Sequence, residues 1–264
     1  MIILNSPIQP KFILKILLSW WQDIIMRKSQ QYSEAQFNFV YFSYKPDFEY
    51  LNISLKSLLQ NTKITDIRNI YIYVDQKDVF TSVQVKALAN LSSKIIFRKI
   101  NNFEWGSPKS TLSEIQCYLS LAEEIKQPDD FMIKVDSDII FIKSNKLHRL
   151  LRSNYHAAGD AHFLDYNFIQ GGMYMIRMGE IAQNLSKISL HDIENISQKI
   201  NSVGEDKVIS TIFEEQQNSF HCTRLMLFPD EYKKITNRSS FTRWEFCCMH
   251  FHRDKENMRS YFSE

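Results

Sequence analysis

From residue 37 onward, short apolar runs rich in Ile, Val, Phe and Tyr alternate with longer stretches of helical spacing. Residues 37–44 (FNFVYFSY) predict a first strand, and Pro46-Asp47 opens a helix through 51–59. Residues 70–74 (IYIYV) predict a second strand ending at Asp75, then a helix over 79–91, and residues 94–100 a third strand. A helix follows over 111–125, with Ser110 or Thr111 as its N-cap and Glu114 placed to close a capping box. Residues 131–142 (FMIKVDSDIIFI) are two apolar runs divided by Asp136-Ser137-Asp138. Strands alternating with helices of this length predict an α/β domain, a mostly parallel central sheet flanked by helices. Ligands of such sheets bind at the carboxyl ends of the strands, where Asp75, Asp136 and Asp138 all fall.

The second half adds three signals. Residues 168–177 (FIQGGMYMIR) place Gly171-Gly172 inside a strand-like run, as a bulge or a point of close approach to the backbone. Gly204-Glu205-Asp206-Lys207 starts a helix, VISTIFEEQ, whose acidic first turn suits the helix dipole. Residues 246–252 (FCCMHFH) predict a strand in which His250 and His252 share a face.

Composition narrows the class. The 264 residues suffice for a substantial core, and a net charge of +2 without a basic run gives no footprint for nucleic acid. Cys117, Cys222, Cys247 and Cys248 show no CxxC spacing, which speaks against a zinc site or disulfide framework and fits a reducing, cytoplasmic setting. Six glycines and six prolines leave little for a linker. Residues 1–36 stand apart. Their apolar stretch 12–26 (FILKILLSWWQDIIM) is too short and polar to span a bilayer and lacks signal-peptide features. An amphipathic helix with Trp20-Trp21 and flanking Lys and Arg suits either an anionic membrane surface, such as the inner face of a membrane, or a protein face.

The chemistry centres on Asp136-Ser137-Asp138. Two carboxylates between apolar runs are costly without compensation. A strand ending at a metal site for Mg²⁺ or Mn²⁺ answers that cost, and a polar hairpin tip is the plain alternative. Same-face His250 and His252 suit metal ligation, with one surface and one core histidine as the ordinary alternative.

These motifs, in this order over residues 37–257, resemble the GT-A glycosyltransferases: a nucleotide-binding βαβ half, a DxD motif (Asp136-Ser137-Asp138), a Gly-Gly strand (Gly171-Gly172), a Gly-Glu-Asp helix start (Gly204-Glu205-Asp206) and a terminal histidine strand. The segment Met249-His250-Phe251-His252-Arg253-Asp254-Lys255 is similar to the C-terminal segment of the beta-1,4-galactosyltransferases, where a Met and a His three positions apart bind metal. Those enzymes carry Trp-Gly-Trp-Gly before the acidic pair, and Asn201-Ser202-Val203-Gly204 stands here instead, so the resemblance specifies the reaction better than the sugars.

The resemblance implies a single GT-A domain over 37–257, an N-terminal helical extension over 1–36 and a tail over 258–264. It implies metal-dependent transfer of a hexose or N-acetylhexosamine from a UDP-sugar to a glycan or lipid-linked glycan hydroxyl. Asp136, Asp138 and His250 or His252 would bind Mn²⁺ or Mg²⁺; the Met-x-x-His spacing favours His252, and a His-Phe pair ending a strand favours His250. Asp206 would be the general base of an inverting reaction and Glu205 would hold an acceptor hydroxyl. Gly171 and Gly172 would admit a sugar to the backbone. Tyr44, Asp75 and Arg98 are candidates for contacting uridine, with Asp136 also on the donor. Two alternatives on the same fold are a retaining transferase and a non-catalytic nucleotide-sugar-binding relative. A phosphatase of the haloacid dehalogenase type also ends a strand in Asp-x-Asp, but near its N-terminus and before a Gly-Thr loop, whereas Ile139-Ile140-Phe141 continue here as strand.

Overall fold

The structure, a computed structural model, describes residues 32–100, 106–161, 168–216, 220–229, 247–252 and 255–262. The helix expected over 12–26 lies outside them. Among the described residues no helix is long and apolar enough to cross a membrane.

Four parallel strands form one half of the central sheet: β1 (Phe37–Ser43), β2 (Ile67–Asp75), β3 (Ile95–Ile100) and β4 (Phe131–Val135), in the spatial order β3-β2-β1-β4. Helices α1 (Phe48–Asn61), α2 (Ser82–Ala89) and α3 (Pro108–Ile125) connect them. All of β1 is buried because helices cover both sheet faces, which is why its sequence is almost continuously apolar. Phe37, Phe39 and Tyr41 point into one core with Leu51, Leu55 and Leu58 of α1; Val40 and Phe42 point into the other with Ile115, Tyr118 and Leu121 of α3. The leucine spacing puts one apolar stripe of α1 against the sheet, and each buried leucine contributes about 1.5–3 kcal/mol.

Past β4 come β5 (Ile139–Phe141), α4 (Asn145–Leu151), β6 (Ala157–Ala161) and β7 (Ile169–Arg177). Next are α5 (Met178–Leu185), α6 (Leu190–Ile200), α7 (Glu205–Glu215), β8 (His221–Cys222), β9 (Met226–Leu227), β10 (Cys248–His250) and α8 (Lys255–Phe262). β7 pairs antiparallel with both β4 and β6, and β8 completes a seven-stranded sheet in the order β3-β2-β1-β4-β7-β6-β8. The sheet is therefore mixed, its parallel half being the part visible as alternating strands and helices. A second, three-stranded sheet has the order β5-β10-β9.

Three boundaries differ from expectation. α3 begins at Pro108, with Ser107 as N-cap and Ser110 closing the capping box, because proline's fixed φ suits the first helical position. Glu114 is thus not a capping residue; it is buried, accepting a hydrogen bond from the Tyr118 hydroxyl at 3.2 Å. The histidine strand is only Cys248–His250 among the described residues, with His252 in the turn after it. α8 runs across position 258, where a tail was expected.

Candidate active site

The two sheets diverge at Asp136-Ser137-Asp138. The β4–β7 ladder continues one residue past Val135, the Asp136 N–H donating to Gly172 O at 2.9 Å, and then the chain leaves for β5. There Ile139 pairs with His250, and the Phe251 N–H donates to Asp138 O at 3.0 Å. This register brings a histidine from near the end of the chain beside the second aspartate. His250 Nε2 lies 3.3 Å from Asp138 Oδ1 and 3.8 Å from Asp136 Oδ2.

Asp138, His250 and His252 each offer a ligand atom within 4.8 Å of the others. Asp138 and His250 are buried, yet Asp138 Oδ1 and both His250 ring nitrogens make no hydrogen bond. Buried polar atoms without partners are costly, and Asp138 Oδ1 and His250 Nε2, which face each other at 3.3 Å, fit a cation binding at both. Burial opposes ionisation of Asp138, but His250, Lys255 and His252 together hold its carboxyl below the usual aspartate range. A carboxylate with two imidazoles is a donor set for a divalent transition ion.

The glycines connect this cluster to α7. Between the pairs Gly159–Tyr174 and Ala161–Ile169, β7 carries extra residues relative to β6, so Gly171-Gly172 lies in a bulge. A Cβ at Gly172 would stand 2.6 Å from Cε1 and Nδ1 of His250. One at Gly171 would stand 3.2 Å from Asp206 Oδ2 and from Glu205 Oε1. The close approach is thus made by the protein's own site side chains, His250 over one glycine and the acidic pair over the next. Gly204 caps α7, where a Cβ would meet Asp206 Oδ1 at 2.7 Å.

Glu205 and Asp206 have different surroundings. Glu205 Oε1 is 3.0 Å from Lys134 Nζ, an ion-pair contact without hydrogen-bond geometry. Among the described residues, the Asp206 carboxylate accepts only the Lys207 N–H, at 2.8 Å. Its burial and the adjacent Glu205 charge push its carboxyl up to about 7. A carboxylate with that value is poised to take or give a proton near neutral pH.

On the other side, Lys255 of α8 reaches in. Its Nζ is 3.3 Å from Asp47 Oδ1 and 3.8 Å from Asp138 Oδ2, while the Ser137 hydroxyl donates to Asp47 Oδ2 at 3.0 Å. Tyr44 directly follows β1, and Asp75 ends the neighbouring β2. Tyr44, Asp75 and Asp136 therefore stand along one edge of the sheet. Arg98 lies inside β3, its guanidinium donating to both oxygens of Glu124 at 3.0 and 3.1 Å.

The sequence reading gave Lys134, Glu114, Asp47 and Lys255 no role in the site. Lys134 did leave a signal: a lysine inside a strand otherwise apolar must meet a carboxylate, and the nearest one ends the same strand. Asp47 and Lys255 have no local signal, because their partners are far away in sequence, and Glu114 bonds Tyr118 one helical turn on, which says nothing of the site.

Fold and site together define a GT-A-type α/β architecture, with a carboxylate–imidazole cluster and an acidic helix start at the C-terminal ends of the parallel strands. Three glycosyltransferase structures are similar in overall fold. Mouse xyloside xylosyltransferase 1 is similar at a TM-score of 0.54 and 11% identity, over 84% of this chain and 98% of that one. The glycosyltransferase GlyE of Streptococcus pneumoniae TIGR4 gives 0.53 and 11%, covering 87% of this chain and 61% of its own. The bifunctional WbbM gives 0.55 and 10%, over 88% of this chain and half (50%) of WbbM. No protein-family model matches the sequence, and no curated protein does.

Proposed function

We propose that this protein is a metal-dependent glycosyltransferase that moves a sugar from a UDP-sugar to a glycan or lipid-linked glycan hydroxyl, inverting the anomeric centre. The observation that carries the reading is the convergence of Asp138, His250 and His252, with Asp138 Oδ1 and His250 Nε2 lacking hydrogen bonds, on the sheet edge where the acidic start of α7 also lies. The three glycosyltransferases of like fold support it.

Asp138, His250 and His252 would hold Mn²⁺ or Mg²⁺, with Asp136 alongside. Two imidazoles beside one carboxylate favour Mn²⁺, the softer of the two. When bound, such an ion supplies Lewis-acid neutralisation of the departing diphosphate. Asp206 is the group suited to remove the acceptor hydroxyl's proton, because its carboxyl titrates near neutrality and makes no ion pair among the described residues. Tyr44 and Asp75, on the neighbouring strand ends, are positioned for the nucleoside. Lys255 presents positive charge beside Asp138, where diphosphate charge accumulates. Arg98 is the weaker nucleoside candidate, given its pairing with Glu124.

The test is UDP release and transfer from a panel of UDP-hexoses, UDP-N-acetylhexosamines and UDP-xylose, with Mn²⁺, Mg²⁺ or chelator, beside Asp138→Asn. The pentose donor is included because one protein of like fold is a xylosyltransferase. Metal-dependent UDP release from one donor, lost in Asp138→Asn, is the expected result. Silence from every donor, with no metal-dependent UDP binding by calorimetry, overturns the reading. Proton NMR of the product anomer separates inversion from retention.

A further inference from the structure

Lys134, on β4 two residues before Asp136, is buried beneath the site. Its Nζ lies 2.6 Å from Asp136 Oδ1, 2.6 Å from Gly171 O and 3.0 Å from Glu205 Oε1. Three groups from three separate elements surround the ammonium: it donates hydrogen bonds to Asp136 in the β4–β5 turn and to Gly171 O in the β7 bulge, and it forms an ion pair with Glu205 in the first turn of α7. Burial alone would discharge such a group. The carboxylates of Asp136 and Glu205 instead hold it protonated well above the ordinary lysine range. Glu114 completes the floor, and its own burial, with the charge of Glu205, pushes its carboxyl well above the usual value. The hydroxyls of Tyr118 and Tyr174, 3.0 Å apart, bond on from it.

The contact with Asp136 is selective. One oxygen is taken by Lys134, which leaves Oδ2 facing His250. The contact with Glu205 fixes the residue beside Asp206. An unpaired Asp136 and Glu205 at this depth would repel each other and turn outward to water.

We propose that Lys134 is a positioning residue that joins the two ends of the site, setting Asp136 toward the metal-ligating cluster and setting the first turn of α7 on which Asp206 stands. Its contacts, with Asp136, Gly171 O and Glu205, are all with the protein itself. The assignment rests on the transfer reading for its catalytic consequence, but the mechanical linkage between Asp136 and α7 exists whatever the protein acts on.

Three variants test it: Lys134→Met removes both arms, Lys134→Arg keeps charge in a planar shape, and Glu205→Gln removes the α7 arm alone. Hydrogen exchange reads the linkage at the Asp136 amide, bonded to Gly172 O, and the Val208 amide, bonded to Gly204 O. Both exchange faster in Lys134→Met, whereas only Val208 does in Glu205→Gln. Calorimetry with Mn²⁺ and UDP gives a dissociation constant raised about 10-fold in Lys134→Met, smaller for Lys134→Arg, and unchanged in Glu205→Gln. The turnover number falls about 10-fold or more in both Lys134→Met and Glu205→Gln, with the donor KM moving only in the former. Exchange at Asp136 and Val208 that stays at the wild-type rate in Lys134→Met overturns the proposal. So does Glu205→Gln loosening both amides equally. If Lys134→Met does not fold, Lys134→Arg and Glu205→Gln decide by the same two amides. If wild-type protein binds no Mn²⁺ and UDP, the transfer reading fails while the exchange data still judge the linkage.

Discussion

His250 rests against Gly172 so closely that a methyl group on the glycine would stand 2.6 Å from two atoms of the imidazole. The glycine is therefore the floor on which the His250 ring lies, and the strand bulges there because β7 carries extra residues. The neighbouring Gly171 does the same for the acidic pair of α7, at the looser distance of 3.2 Å.

Gly172→Ala is expected to displace His250 and cut metal affinity by about 10- to 100-fold, as disturbed metal surroundings generally do. Gly171→Ala meets the free ends of two carboxylates and is milder. Isothermal titration with Mn²⁺ and UDP measures both; equal effects, or none at Gly172, contradict the seating argument.

His250 and His252 differ in burial, the first buried with both ring nitrogens lacking hydrogen bonds and the second exposed. His250→Ala should abolish metal-dependent UDP binding, whereas His252→Ala weakens it by about 10-fold, consistent with loss of one partly solvated ligand. Manganese EPR on the two variants decides, and a larger loss in His252→Ala would reverse the assignment.

Asp206, raised from the ordinary 3.8 to about 7, makes two pH predictions. As a base it must be ionised, so kcat/KM climbs as pH rises through about 7 and the climb disappears in Asp206→Asn along with nearly all turnover. As a partly buried acid it binds a proton in the folded state between these two values that the unfolded chain has released. Stability therefore falls as pH rises through that window, and Asp206→Asn is more stable than wild type at pH 8 by on the order of 1–3 kcal/mol. Thermal melts at pH 5 and pH 8 measure this, and a variant less stable at pH 8 would show that Asp206 is ionised throughout.

Lys255 links α8 to Asp47 and stands 3.8 Å from Asp138. Burial opposes its charge, but Asp138 and Asp47 hold it protonated above the ordinary lysine range. Lys255→Met should raise the donor KM about 10-fold, equivalent to roughly 1.4 kcal/mol, by removing a cation from the diphosphate region. Steady-state kinetics at saturating Mn²⁺ measure it; an unchanged KM would restrict Lys255 to anchoring the helix.

How much of this was legible beforehand depends on sequence distance. The strands and helices of residues 37–142 were visible because their side chains alternate at the periods of the elements they form, and because both-face burial makes the β1 and β4 runs nearly continuous. The position of Asp136 and Asp138 at a strand end, the Gly-Gly interruption and the acidic start of α7 were visible for the same local reason. The start of α3 was misread because Ser107-Pro108 lies outside the apolar pattern, although a proline after a serine is itself a helix-start signal.

The sequence by itself determined an α/β domain with paired aspartates, an acidic helix start and two late histidines, since each is a property of a few adjacent residues and their period. Only the tertiary structure decided that these belong to one site. The antiparallel pairing of β5 with β10 sets His250 beside Asp138, and the β7 bulge sets the glycines under His250 and the acidic pair. Lys134 ends up bonded to Asp136 while also facing Glu205, a partner on α7. Such contacts follow from strand register and helix docking, which the summed burial of the whole core fixes and which no local run of residues encodes.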